Sequence, residues 1–247
     1  MSKHTVHWYS QRVHHDIRFV RWGDIGQPVL LFPTAGGDAE ECERFHMLDA
    51  LEPLLAAGRI KVYSIDSLAS RAWLSDNDTV GFAAAIQNAY DEFIVREVVP
   101  AIRGDCHAGE DLSIVTAGAS LGAFNALASI CRHPDVFSAA ICMSGSYDIL
   151  RFLEGTPNEA FHHCSPLHFV PHLAEDGEHL RRLRERFVLL TYGGGRWENP
   201  DDSWRVADVL GRRGVPNRVD PWGPEWDHDW TSWRRMLPQY LGEILPG

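Results

Sequence analysis

The stretch "TAGASLGAFNALAS", residues 116–129, decides how the rest of the chain is read, because it sets Ser120 midway between Gly118 and Gly122. With Gly and Ser each near ~7% of residues, a G-x-S-x-G pattern arises by chance in roughly one chain in ten of this length. Its setting must therefore decide. The apolar run "LSIVTAG" leads directly into Ser120, and the Ala-rich "LGAFNALASICRHP" follows it and stops at Pro134. The serine thus stands where a strand turns into a helix, which is the context a nucleophile elbow requires. Small residues at Gly118, Ala119, Gly122 and Ala123 let helix and strand approach, and the strained turn projects the hydroxyl. The helix also points its amino end at that hydroxyl, so the Leu121 amide is free to donate to an oxyanion. The bland alternative is a tight strand-to-helix turn with Ser120 as its cap.

The same alternation extends in both directions. "TVHWYS" and "DIRFVRW" alternate like a paired antiparallel edge, whereas "PVLLFPT", "IKVYSID", "LSIVTAG", "FSAAICMSG" and "RFVLLTYGG" are continuously apolar, as strands covered on both faces are. A shorter strand is expected at "NRVDPWG". Helical patterns fall at residues 40–57, 80–103, 121–132, 202–214 and about 231–245. Strands that alternate with helices predict an α/β fold: a mostly parallel sheet with helices on both faces. No repeat, low-complexity tract or linker divides it, so residues 1–247 are expected to form a single domain. Residues 146–185, with "FHHCSPLHFVPHL", are expected as a small insertion over the sheet's carboxyl edge, where open α/β sheets place their ligands.

Composition excludes several classes. Against 34 Asp and Glu there are 23 Lys and Arg, a formal charge of −11, which repels phosphate backbones and anionic lipid. Neither nucleic acid nor membrane is an expected partner. No window approaches the ~18 consecutive apolar residues of a membrane span, and the first residues lack a signal-peptide core. A cytoplasmic location is the expectation. Cys42, Cys106, Cys131, Cys142 and Cys164 are odd in number and unpaired in spacing, as reduced thiols are, and no C-x-x-C suggests zinc. Oligomeric state is left open, a homo-oligomer included, because homodimers bury surfaces that a sequence hides.

A serine nucleophile needs a base and an orienting carboxylate. Of thirteen histidines, His228 in "PWGPEWDHDWTSWRRML" lies after the last strand, before the last helix, and beyond the serine in the chain. That is the place of a base in such a fold. The bland reading is a surface histidine between Asp227 and Asp229. For the acid, "GRWENPDDSW" after "RFVLLTYGG" supplies Glu198, Asp201 and Asp202. Glu198 lies nearest the strand end and is preferred; Asp202 with Ser203 is expected to open the next helix, and Asp148 in "SGSYD" is a further candidate. A second oxyanion donor is expected from "LFPTAGGD", with the Ala35 amide as the choice. A P-loop is excluded there, since no G-x-x-x-x-G-K-[ST] occurs.

At this point the chain resembles the "putative esterase" family of α/β-hydrolases, which takes in esterase D-type S-formylglutathione hydrolases, siderophore esterases and mycolyltransferases. The resemblance spans nearly the whole chain and is carried by "PVLLFPTAGG", "YDEFIVREVVPAI", "GASLGAFNALASICRHPDVFSAAICMSGSYD" and "WGPEWDHDWTSWRRMLPQYL". It implies an α/β-hydrolase fold with Ser120 as nucleophile, His228 as base, a carboxylate at the "RWE" site, and oxyanion amides from Leu121 and the loop around Ala35. The 146–185 segment matches no branch of known substrate.

The expected activity is hydrolysis of a small-molecule ester or thioester through an acyl-enzyme on Ser120, with no metal or organic cofactor required. Trp197 and Trp226 are candidates to line an acyl site. Two other readings fit the same residues: an acyltransferase that passes the group to an alcohol or amine, and a non-catalytic binding protein on the same fold.

Overall fold

Continuous apolar runs fold as the inner strands of one eight-stranded sheet, and the alternating N-terminal pair forms its edge. The computed structural model describes residues 2–75, 79–152 and 155–245. The strands are β1 (Lys3–Ser10), β2 (His15–Trp22), β3 (Gln27–Phe32), β4 (Ile60–Ile65), β5 (Ile114–Ala119), β6 (Phe137–Met143), β7 (Phe187–Tyr192) and β8 (Asn217–Pro221). In space they run β1-β2-β4-β3-β5-β6-β7-β8. Only the β1–β2 and β2–β4 pairings are antiparallel; every pairing from β4 to β8 is parallel.

Helices α1 (Glu41–Arg44), α2 (Met47–Ala56), α3 (Leu68–Trp73), α4 (Val80–Phe93) and α5 (Val99–Asp105) precede β5, with a π-helical turn over Ile94–Val98 joining the last two. After it come α6 (Leu121–Arg132), α7 (Glu159–Cys164), α8 (Pro166–Phe169), α9 (Glu178–Leu183), α10 (Pro200–Arg212) and α11 (Trp230–Ile244). The pleat divides the core in two. From β3, Leu30 and Phe32 face a cluster with α3–α6 and α10, while Val29 and Leu31 face one with α2 and α11. Helices therefore cover both faces, as a parallel sheet needs.

The 146–185 segment leaves the carboxyl end of β6 and is more regular than its sequence suggests. It holds α7–α9, and Phe161, Cys164, Phe169, Val170, Leu180 and Leu183 join the core cluster of α4, α6 and α10. Its residues 153 and 154 lie outside the described residues. The cysteines are all free: four are buried and Cys106 is half-buried. Among the described residues, no helix is long and apolar enough to cross a membrane.

Candidate active site

Ser120 is the last residue before α6 and has φ 57° and ψ −123°. This is a conformation that costs a non-glycine residue ~1–3 kcal/mol and persists only where its surroundings over-determine it. They do so here. The Ser120 amide donates to the Met143 carbonyl (3.0 Å), and its carbonyl accepts from Ala123 (3.1 Å) and Ser146 (3.3 Å). Space also fixes the turn: a Cβ on Gly118 would stand 2.3 Å from the Gly122 carbonyl, and one on Gly122 would stand 2.6 Å from the carbonyl oxygens of Phe32 and Pro33. Both glycines are thus sites of backbone-to-backbone contact that no side chain could share. Ser120 remains partly exposed, and the Leu121 amide, in the first turn of α6, has no intrahelical acceptor.

The loop after β3 packs against that turn. Its shape is set by Glu41, a buried carboxylate on α1 that accepts from the Thr34 amide (2.7 Å) and hydroxyl (2.6 Å). The Gly37 amide donates to the Thr34 carbonyl (3.1 Å), and the Gly37 carbonyl accepts from Ser67 (3.1 Å). Ala35 sits exposed at the tip of this turn, beside Gly36 in the left-handed region at φ 69°. Neither Glu41 nor α3, which follows Ser67, stands out in the sequence.

His228 and Glu198 are brought together by two loops that bind each other. From the loop after β7, Gly194 donates to the Gly223 carbonyl (3.0 Å), Gly195 to that of Trp226 (2.9 Å), and the Arg196 amide to Asp227 Oδ1 (2.7 Å). In return, the His228 amide donates to the Arg196 carbonyl (3.0 Å). The Arg196 guanidinium on Asp227 holds that carboxyl below its usual range. Asp229 is occupied as well, capping α11 through the Thr231 and Ser232 amides. The carboxylate facing the His228 ring is instead Glu198, with Oε2 3.7 Å from Nδ1. That exceeds a hydrogen bond but lies within ion-pair range, so the contact strengthens when the imidazole gains a proton. The Glu198 side chain is only 2% exposed and accepts a 2.6 Å hydrogen bond at Oε1 from the Ser144 hydroxyl. The Trp233 indole donates to Ser144 Oγ (3.0 Å) and meets the His228 ring edge-on at 5.2 Å. Tyr147, buried nearby, has its phenol pushed up by burial and by Cys142, Asp202 and Glu198, and so stays neutral.

The other candidate acids do not face the His228 ring. Asp202 pairs with Arg151 (2.8 Å) and Asp148 with Arg205 (2.7 Å), while Asp201 is exposed. Asp202 does not open α10: Asn199 precedes the helix, Pro200 is its first residue, and Asp202 turns inward. Proline suits that first position, where a helix amide lacks a partner anyway. Trp197 is 86% exposed at φ 67°, and half-buried Trp226 packs edge-on against Trp222 at 4.9 Å. The sequence assigns no role in the site to Ser144 or to the Trp233 N–H. The one signal for Ser144 is its position straight after an apolar strand.

Sheet order, helices on both faces and a serine on a strained strand-to-helix turn define an α/β-hydrolase fold. The family model described as "Putative esterase" matches residues 78–244, and the chain belongs to that family of ester hydrolases. None of the curated proteins matches it in sequence. Among solved structures it is similar to a ferulic acid esterase, at 19% identity and TM-score 0.75 over 99% of this chain and 98% of that one. An S-formylglutathione hydrolase from Agrobacterium tumefaciens shows 14% identity and TM-score 0.70 over 99% and 95% of the two chains. A fluorophosphonate-binding serine hydrolase of Staphylococcus aureus shows 14% and 0.68 over 100% and 99%. At these identities the likeness to solved structures is one of fold.

Proposed function

We propose that the chain works as one catalytic domain, a serine esterase that cleaves a small carboxylic ester or thioester through an acyl-enzyme. Ser120 Oγ attacks the carbonyl carbon as His228 Nε2 takes its proton, and the carbonyl oxygen becomes an oxyanion held by the Leu121 and Ala35 amides. Collapse expels the alcohol or thiol, which leaves with the proton from His228. Water then attacks the acyl group, giving its proton to His228, and the carboxylic acid departs as Ser120 regains its hydrogen. Glu198 keeps Nδ1 protonated and stabilises the imidazolium. Trp197 directly precedes Glu198 and Trp226 lies two residues before His228, and both are assigned to the acyl group. The observation that carries the reading is the backbone of Ser120 at φ 57° and ψ −123°, a strain without purpose in a plain capping serine.

The test is intact-mass spectrometry after exposure to a fluorophosphonate, on the native protein and on Ser120→Ala and His228→Ala. One adduct is expected on the native chain, none on Ser120→Ala, and a slowed one on His228→Ala. A folded native protein that takes up no adduct, or a Ser120→Ala variant that still hydrolyses an ester, would overturn the reading.

A further inference from the structure

Ser144 sits straight after β6 with its backbone at φ 47°, in the left-handed region where serine is strained and glycine is not. Its amide is fixed by the Thr191 carbonyl (2.7 Å), and the residue is almost fully buried. A hydroxyl has one hydrogen to give and two lone pairs to offer, whereas an indole N–H can only donate. The Trp233 indole, 3.0 Å away, therefore takes a lone pair of Ser144 Oγ and leaves the hydroxyl hydrogen to point elsewhere. The acceptor it meets is Glu198 Oε1 at 2.6 Å, a length typical of a charge-assisted O–H···O⁻ bond. With Oε1 pinned this way, Oε2 is the oxygen turned to His228 Nδ1.

We propose that Ser144 is a positioning residue for the hydrolysis, and that Trp233 acts through it by fixing which way its hydroxyl points. The donor chain Trp233 to Ser144 to Glu198 holds the carboxylate in one rotamer, so that Oε2 meets the imidazole as it charges. This inference rests on the assignment of Glu198 and His228 given above. It accounts for a strained serine at a site where glycine would be conformationally easier: the hydroxyl, not the backbone, is what the position requires.

The experiment is a double-mutant cycle on kcat and KM for a chromogenic ester, with thermal midpoints recorded beside it. Ser144→Ala and Ser144→Gly are expected to lower kcat about tenfold to a hundredfold with little change in KM, the scale of a lost hydrogen bond to a charged group. Ser144→Gly also removes the backbone strain, so it should melt above Ser144→Ala while being as slow. A merely structural serine would lose stability and activity together. Trp233→Phe, which keeps an aromatic ring against His228, should lower kcat in the native background and have little further effect on Ser144→Ala, because the hydroxyl it orients is gone. Additive effects of the two substitutions, or full kcat in Ser144→Gly, would overturn the proposal. Glu198→Ala is the reference: if it too retains full kcat, the assignment of the acid fails, whereas a dead Glu198→Ala beside an unimpaired Ser144→Gly refutes the role of Ser144 alone.

Discussion

Replacing Gly122 by alanine adds one carbon to a backbone-to-backbone contact between helix α6 and the loop after β3. That carbon would lie 2.6 Å from the carbonyl oxygens of Phe32 and Pro33. Ordinary contact begins near 3.4 Å, so helix and loop must part by about 0.8 Å. Both partners are backbone, and neither can swing aside as a side chain would. Pro33 lies two residues before Ala35, while Gly122 directly follows Leu121, so the displacement opens the space between the two amides assigned to the oxyanion. Misplacement by about 1 Å can cost ~100-fold in rate, and overpacking of this kind costs ~1–3 kcal/mol in stability. For a chain of this size that lowers the melting midpoint by roughly 2–12 °C. Gly122→Ala is therefore expected to remain folded at 25 °C and lose about two orders of magnitude in kcat/KM for p-nitrophenyl acetate, read with a thermal melt on the same sample. A folded variant with native kcat/KM would show that the spacing of helix and loop does not set the reaction, and the two-amide assignment would fall with it.

Two further outcomes follow from other parts of the molecule. Trp197, 86% exposed, should be dispensable for folding but not for large acyl groups: Trp197→Ala should melt as the native protein does and raise KM roughly tenfold for a naphthoyl ester but little for an acetyl ester. Equal effects on both esters would remove it from the acyl site. Glu97 is half-buried, which by itself would raise its carboxyl, but hydrogen bonds from Trp8, Arg12 and Ser10 outweigh this and hold it below its usual value. A depressed carboxyl stabilises the fold above its unfolded value near ~4.3, and that contribution fades as pH falls through the folded one. The native protein should therefore melt above Glu97→Gln at pH 7, with the gap closing below about pH 4. A gap that stays constant down to pH 3 would refute the linkage.

What the sequence made legible follows from how much physics is local. Uninterrupted apolar runs such as "VLLF" and "IVTAG" must be covered on both sides, so the inner strands and their flanking helices could be read directly. The pattern around Ser120 carried its own context. Glu198 and His228 could be paired because fold topology places the ends of β7 and β8 side by side. Residues whose role depends on a distant partner were silent. Ser144 needs Trp233, 89 residues away, before its hydroxyl has a direction, and Glu41 needs the loop at Thr34 folded against it. Trp233 is silent for the same reason, because nothing in its sequence neighbourhood shows that its N–H faces a buried serine. The helices of residues 146–185 were hidden by their brevity, since six-residue helices such as α7 and α9 are too short to show a period.

The mutual binding of the loops after β7 and β8 has a consequence for how the protein would lose activity under stress. The loops that carry His228 and Glu198, the proposed base and acid, are fastened to each other by four backbone-directed bonds, reinforced by the Arg196–Asp227 pair, while Ser120, the proposed nucleophile, belongs to the turn at β5. Mild heat or acid that loosens this clasp would part the His228 loop from the Glu198 loop with the sheet still intact. Inactivation would then run ahead of melting, and cooling would restore turnover without any need to refold the core.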